Sequence, residues 1–468
     1  WCINVDSSTY SEQVTVENIT FTYSSNTLTI QSEPALVRTR AAVNPPGPTA
    51  GFRIMNSSVN ILGISIIQTV GVQYGIFASS NHVTISSVNV DAGGNISFAG
   101  IKIASNSTVS YSSVTVQAGH GIWLENSGRN FISYSTMTSL DFNSSGLQFD
   151  SSSSNTVTGC LISNPGGNGA WLYSSAYNTI SASTVTSSLS GKAALYATDS
   201  SSFNSVSGSY ISNPAGKAAW LLSPAINNTI KQSTIASNSV IEAALWLNGA
   251  SSNTVDGVLI TGSALSSVLL DSNARNNTFR QSTIVNSGGG NIAFQIIGSD
   301  SNTVTGSLIL NLAGIALNIK SVSNANVISQ STMTSSASGL AAVTITASSS
   351  NTVTGSFISN PAGYGVLLTA VANGNTISLS TMIGGAGSAA LYINKSSSNT
   401  ILNSHVQGST AVLISGSTGT TIGGSWLVAT ITAGNALGLS TGNVNLSLTT
   451  STLRGGLQGA GIYLDKSN

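Results

Sequence analysis

The chain is short of charge. Only 6% of its 468 residues are Asp, Glu, Lys or Arg, against roughly 25% in an ordinary soluble domain. Fourteen acids balance fourteen bases, so the formal net charge is zero, and that leaves no electrostatic basis for binding nucleic acid or an anionic membrane. Two cysteines, Cys2 and Cys160, exclude a disulfide framework. Eight prolines exclude a Pro-rich stalk. No apolar run approaches the ~18 residues of a membrane span. No window sustains a 3.6-residue period with caps, so long helices are excluded as well.

What remains is Ser, Thr, Asn, 48 Gly and a hydrophobic fraction of 41%. That fraction is too high for disorder, and it implies a large core under a surface of hydroxyls and amides. The first residues, Trp1-Cys2-Ile3 without Met, fit a secreted product after signal removal or a piece of a longer polypeptide.

The organising feature is a repeat. An Asn followed by Thr-Val or a close variant recurs at Asn130, Asn155, Asn178, Asn204, Asn228, Asn253, Asn277, Asn302, Asn326, Asn351, Asn375 and Asn399. Successive differences are 25, 23, 26, 24, 25, 24, 25, 24, 25, 24 and 24. A longer period is nested inside: N-T-V-T-G-S-L-I-S-N-P-like units alternate with N-T-I-x-x-S-T-M/I units, and from 155 to 204, 253, 302 and 351 the step is 49 each time. Each unit holds three short patches of alternating apolar residues, ending in A-x-L-x-I as at Ala389-Leu391-Ile393, bounded by Ser, Asn and Gly. Period-2 alternation over so few residues reads as strand.

Strands this short bury their inward side chains only by stacking on the next turn. The expected fold is all-β, a parallel solenoid of about 19 turns, ~24 residues per turn and three short strands per turn. At ~4.8 Å per turn it would be a rod on the order of 90 Å long. The recurring Asn would form an amide ladder between turns, satisfying buried polar groups. Residues 1–55 read as irregular turns with a protruding loop at Arg38-Thr-Arg40 and Asn44-Pro-Pro-Gly-Pro48; residues 56–468 read as regular turns continuous with them.

Gly121-Ile-Trp-Leu-Glu-Asn-Ser-Gly-Arg-Asn130 and Ala389-Ala-Leu-Tyr-Ile-Asn-Lys-Ser-Ser-Ser-Asn-Thr-Ile401 resemble the G-I-x-L-x-x-S-x-x-N-x-I signature of the right-handed parallel β-helix repeat proteins. That superfamily contains pectate lyases, polygalacturonases and many surface proteins. The resemblance runs from about Phe52 to the end and implies a right-handed coil. It implies little about activity, because the fold hosts many functions.

Enzymes of that superfamily rely on clustered acids, calcium-binding Asp groups or a basic Arg or Lys, and fourteen acids spread over the turns give no such cluster. The chain is therefore expected not to be an enzyme. Gly119-His120-Gly121 resembles the Gly-His-Gly of polygalacturonases, but no acid lies between Asp91 and Glu125, so the aspartates that reaction needs are missing. The best carboxylate pair is Glu125 and Asp150, one slot in successive turns and expected ~5 Å apart, within the range of retaining glycosidases, with Asp141 as a neighbour. Asp256, Asp271, Arg275 and Arg280 are expected to form surface ion pairs. Trp171, Trp220, Trp246 and Trp426 are expected in core or bend packing, with stacking on sugar rings as the alternative.

The first and last residues match one strand slot, so Trp1, Ile3 and Val5 could meet Ile462 and Leu464 of another copy and extend one ladder head to tail. The overall expectation is an extracellular or cell-surface structural rod that stacks into a filament, with adhesion as a use. Its expected partners are itself, head to tail, and as alternatives glycans or a cell surface, with no nucleic acid, no membrane span, no cofactor and no metal. The alternative is a polysaccharide-binding or polysaccharide-cleaving β-helix at Glu125 and Asp150. A minor alternative is an ice-binding solenoid, suggested by the outward pairs Thr156/Thr158, Thr303/Thr305 and Thr352/Thr354 and interrupted by Lys231, Asp256 and Arg280.

Overall fold

The structure is a computed structural model describing residues 1–468 apart from 20–25, 33–40, 46, 48, 68–69, 92–94, 386, 441 and 465–468. Arg38, Arg40, Pro46 and Pro48 of the expected loop thus lie outside the described residues. Among the described residues there are 57 short strands and no helix. The strands form three parallel sheets in a right-handed solenoid of about 18–19 turns, ~24 residues per turn. Contacts divide the chain into two units, Trp1–Ala236 and Ser237–Asn468.

One turn of the second unit shows how the repeat becomes a coil. Thr303–Thr305 enters the first sheet, Leu308–Asn311 the second and Ile315–Lys320 the third. Val304, Ile309, Leu317 and Ile319 point inward and are fully buried, while Thr303 and Thr305 face out. Each inward residue sits on its equivalent one turn away, Val304 on Ile328, Ile309 on Met333 and Leu317 on Val343. The core is therefore a set of aliphatic stacks, and each stack removes from water two faces that a lone turn would expose.

The corners need a left-handed backbone. Gly306 and Gly355 take it at φ 57 between the first and second strands, and glycine does so without a Cβ clash. In the alternate turns Gln281, Gln330 and Leu379 stand at the same corner with φ 49, 49 and 51. This is the structural meaning of the two unit classes: one uses glycine at the bend, the other accepts strain there.

Two polar ladders run up the corners. In the first unit Asn155 Nδ2 donates to Asn178 Oδ1 at 2.9 Å, Asn178 to Asn204 at 3.1 Å and Asn204 to Asn228 at 3.0 Å. In the second unit the same bond runs from Asn253 through Asn277, Asn302, Asn326, Asn351 and Asn375 to Asn399 at 3.1–3.3 Å. Asn130 is the exception, its amide donating to Ser127 Oγ at 3.3 Å. A serine ladder stands five residues further on: Ser282 N donates to Ser307 Oγ, Ser307 N to Ser331 Oγ and Ser331 N to Ser356 Oγ, each at 3.2 Å.

The first unit opens less regularly. Cys2 pairs with Thr29 and Leu28 with Val59, so the first two steps are 27 and 31 residues. Val59 to Val83 then settles at 24. Cys2 is exposed and Cys160 buried, both as free thiols.

Candidate functional site

In the first unit the outward faces of the third-sheet strands line up one register column: Arg53, Phe77, Lys102, Trp123, Gln148, Trp171, Tyr196 and Trp220. The flat side chains stack on one another. Trp171 and Tyr196 have ring centroids 5.6 Å apart and Tyr196 and Trp220 4.7 Å, with planes inclined by 30° and 25°. Cations stand against the column at two points, Lys102 Nζ 4.3 Å from the Trp123 ring and Lys217 Nζ 4.5 Å from the Trp220 ring. Trp171 and Trp220, and Trp246 in the second unit, thus lie neither in the core nor in a bend; all three are outward and half-buried. Trp426 faces out from the second sheet, half exposed.

Polar groups flank the column. On one side Glu125 pairs with Asp150 in register, and Asp150 with Tyr173. Glu125 is taken up by an ion pair with Lys102, so the two carboxylates are neighbours in register but not equivalent in chemistry. Phe77, Lys102, Glu125 and Asn126 line a groove of about 380 Å³.

His120 and Asp141 lie toward the other end of these strands. The six-residue strand His120–Glu125 sets its ends five steps apart, roughly 17 Å at ~3.3 Å per residue, so Asp141 does not join Glu125 and Asp150. His120 packs against Trp123 with ring centroids 5.6 Å apart. Its Nδ1 accepts the Ser145 N–H at 3.1 Å, which leaves the proton of the neutral ring on Nε2. Burial lowers its pKa from 6.5 to about 4, against the opposing pull of Asp141. Burial also works against the Asp141 carboxylate. Donors at Ser144 Oγ (2.6 Å), Asn143 N and Gly119 N, together with His120, nevertheless hold it below its usual range. Lys192 is lowered by burial, with Asp141 opposing, and its Nζ lies 3.8 Å from the Phe142 ring. Beside His120, Gly121 lets neighbouring turns approach closely: a Cβ there would meet Gly146 O at 2.4 Å.

The other expected charge cluster rearranges. Asp256 pairs with Arg280 at 2.8 Å in the first-sheet Thr array, while Arg275 pairs with Asp300 at 3.3 Å. Asp271 instead accepts the Trp246 indole N–H at 2.9 Å, and burial raises its pKa although that bond opposes the shift. Of the edge residues, Ile3 and Val5 lie on the strand Cys2–Val5, Ile462 and Leu464 on Ile462–Leu464, and Trp1 just before the first; all are exposed except Val5, which is intermediate. Among the described residues no three of His, Cys, Asp and Glu converge to hold a metal, and no helix is long and apolar enough to cross a membrane.

Sequence reasoning set His120 aside and did not single out Lys102, Trp123, Tyr196 or Lys217. Counting back from the next repeat Asn puts Trp123, Gln148 and Trp171 seven positions before it but Tyr196 and Trp220 eight, so only the strand register brings all five into one column.

A parallel β-solenoid with an aromatic and polar outer face is the class this geometry defines. The chain belongs to the right-handed beta helix family, whose model matches residues 50–202, 178–318 and 292–453. No curated protein sequence matches it. Among solved structures it is similar to the Dettilon tailspike protein, at 12% identity and TM-score 0.35, over 94% of this chain and 62% of that one. It is also similar to a DFA-IIIase from Arthrobacter chlorophenolicus A6 in complex with GF2, at 12% identity and TM-score 0.35, over 72% of this chain and 84% of that one. A third is the A-module of an Azotobacter vinelandii mannuronan C-5 epimerase, at 11% identity and TM-score 0.25, over 94% and 88%.

The expectation that the chain is not an enzyme is corrected: the last two structures are by their names enzymes, so sparse acids on such a coil do not exclude catalysis. The physical flaw in that expectation was averaging acids over all turns, when neighbouring turns suffice to assemble a site.

Proposed function

We propose that the protein binds a polysaccharide along the outer face of the third sheet in the first unit, outside the cell or at its surface. The observation that supports this most is the column from Lys102 to Trp220. It is a line of four aromatic rings, Trp123, Trp171, Tyr196 and Trp220, broken by Gln148, at ~4.8 Å per turn, with the Glu125 and Asp150 carboxylates along one side. An extended polymer of sugar rings has the same kind of translational repeat, an apolar C–H face and hydroxyl edges, and tryptophan and tyrosine match that pairing. Stability alone does not account for the choice of rings. The indole N–H groups of Trp123 and Trp171 are buried without an acceptor, each costing about 1–3 kcal/mol that phenylalanine would not.

The test is affinity electrophoresis of the full chain through gels containing neutral or acidic polysaccharides, followed by a reducing-end assay for chemistry on the bound chain. Trp171→Ala should weaken retardation by roughly tenfold, the worth of one stacked ring, while a retained cooperative melting transition shows that the chain still folds. Absence of retardation in every gel, or retardation indifferent to this substitution, would count against the reading.

The rod or filament role is a second reading, supported by the parallel pairing of turn upon turn in all three sheets within each unit. Negative-stain microscopy over a concentration series should show particles lengthening in whole multiples; particles of one size throughout would exclude it.

A further inference from the structure

We propose that the second sheet of the second unit carries a separate site for an acidic saccharide, with Trp426 stacking on the sugar ring and Arg454 holding its carboxylate. Here a cleft of about 700 Å³ lies between the sheet and the loops at 430–432 and 455–457. Two register columns make its floor, one of His405, Trp426 and Thr452, the other of Gln407, Val428 and Arg454. Columns two residues apart are separated by ~7 Å and turns by ~4.8 Å, which gives a patch on the scale of a mono- or disaccharide.

The chemistry differs from that of the third sheet, where ring faces cover one another. His405 meets Trp426 edge-on, with centroids 4.8 Å apart and planes at 63°. On the other side stands Thr452, too short to cover an indole, and Trp426 is 50% exposed. An open indole face against a short neighbour suits the C–H face of a pyranose. Gln407 Oε1 is engaged by His405 Nε2 at 3.2 Å, so the Gln407 amide N–H groups remain available to sugar hydroxyls. Among the described residues Arg454 makes no ion pair, and no carboxylate lines the cleft. A guanidinium without a counter-charge beside a stacking platform selects a carboxylate, which it can hold through two parallel hydrogen bonds.

This site stands or falls independently of the third-sheet reading. The full chain, labelled at its six tryptophan indoles, is titrated by NMR with trigalacturonate, its methyl ester and a sulfated oligosaccharide, the Trp426 signal being assigned with Trp426→Phe. Trigalacturonate should shift the Trp426 signal saturably and bind about tenfold more tightly than the ester, the difference one charge-assisted bidentate contact makes. Arg454→Gln should abolish that preference, Arg454→Lys should restore part of it, and Trp171→Ala should leave it intact. Failure to saturate, equal binding of acid and ester, tighter binding of the sulfated chain, or indifference to Arg454→Gln would each overturn the proposal. Both residues face away from the core, so unchanged melting curves are expected to accompany the losses.

Discussion

His120 carries the clearest residue-scale consequence. Its folded pKa of about 4 lies below the 6.5 of the unfolded chain, so between these values the unfolded state binds a proton that the folded state refuses. The stabilisation is therefore complete above pH 6.5 and is lost as pH falls toward 4, by roughly 3 kcal/mol at 1.36 kcal/mol per unit. His120→Gln should flatten the urea midpoint across that window. Asp141 does not obscure the result, because a carboxylate held below its usual range loses its contribution only at lower pH. A midpoint as steep in the variant as in the parent would mean that His120 is solvated.

At the scale of the element, the Asn ladder ends abruptly. Thr420 occupies the slot after Asn399, and the buried Asn399 Nδ2 and Thr420 Oγ1 both lack partners. Thr420→Asn should extend the ladder by one rung and stabilise the second unit by about 1 kcal/mol, one net hydrogen bond, read as a rise in the chemical-denaturation midpoint. Asn302→Ala should do the reverse on a larger scale. It removes donations to Ala274 O and Asn326 Oδ1 and takes away the Oδ1 that accepts from the Asn277 backbone N–H and Nδ2, costing about 3 kcal/mol or more. The ladder was legible because an Asn that returns every turn announces itself. The serine ladder was equally regular, five residues later, but Ser is so common in this chain that its recurrence did not stand out. The Trp–Tyr column was legible as residues and not as a surface, since alternation alone does not say which parity faces in. The proximity of His120 to Asp141 was hidden for a related reason: the acid comes from the next turn, and only the coil brings it near.

For the molecule as a whole, turns touch chiefly their neighbours, so stability is a sum of local terms. The loss in Asn302→Ala should stay local. Hydrogen exchange should accelerate in the turns flanking residue 302 and leave amides before residue 236 unchanged; acceleration spread over the chain would point to a single cooperative unit. The sequence by itself determined the solenoid, because a 24-residue period with three alternating patches has one way to bury its apolar side chains, by stacking. Only the tertiary structure decided the chemistry of its surface. Pairing one turn with the next draws Lys102 onto Glu125, lays Tyr196 between two indoles, and leaves Trp426 open beside Arg454. Those contacts join residues more than twenty positions apart, and whether two side chains meet at that distance depends on corner geometry and register, which no local pattern encodes.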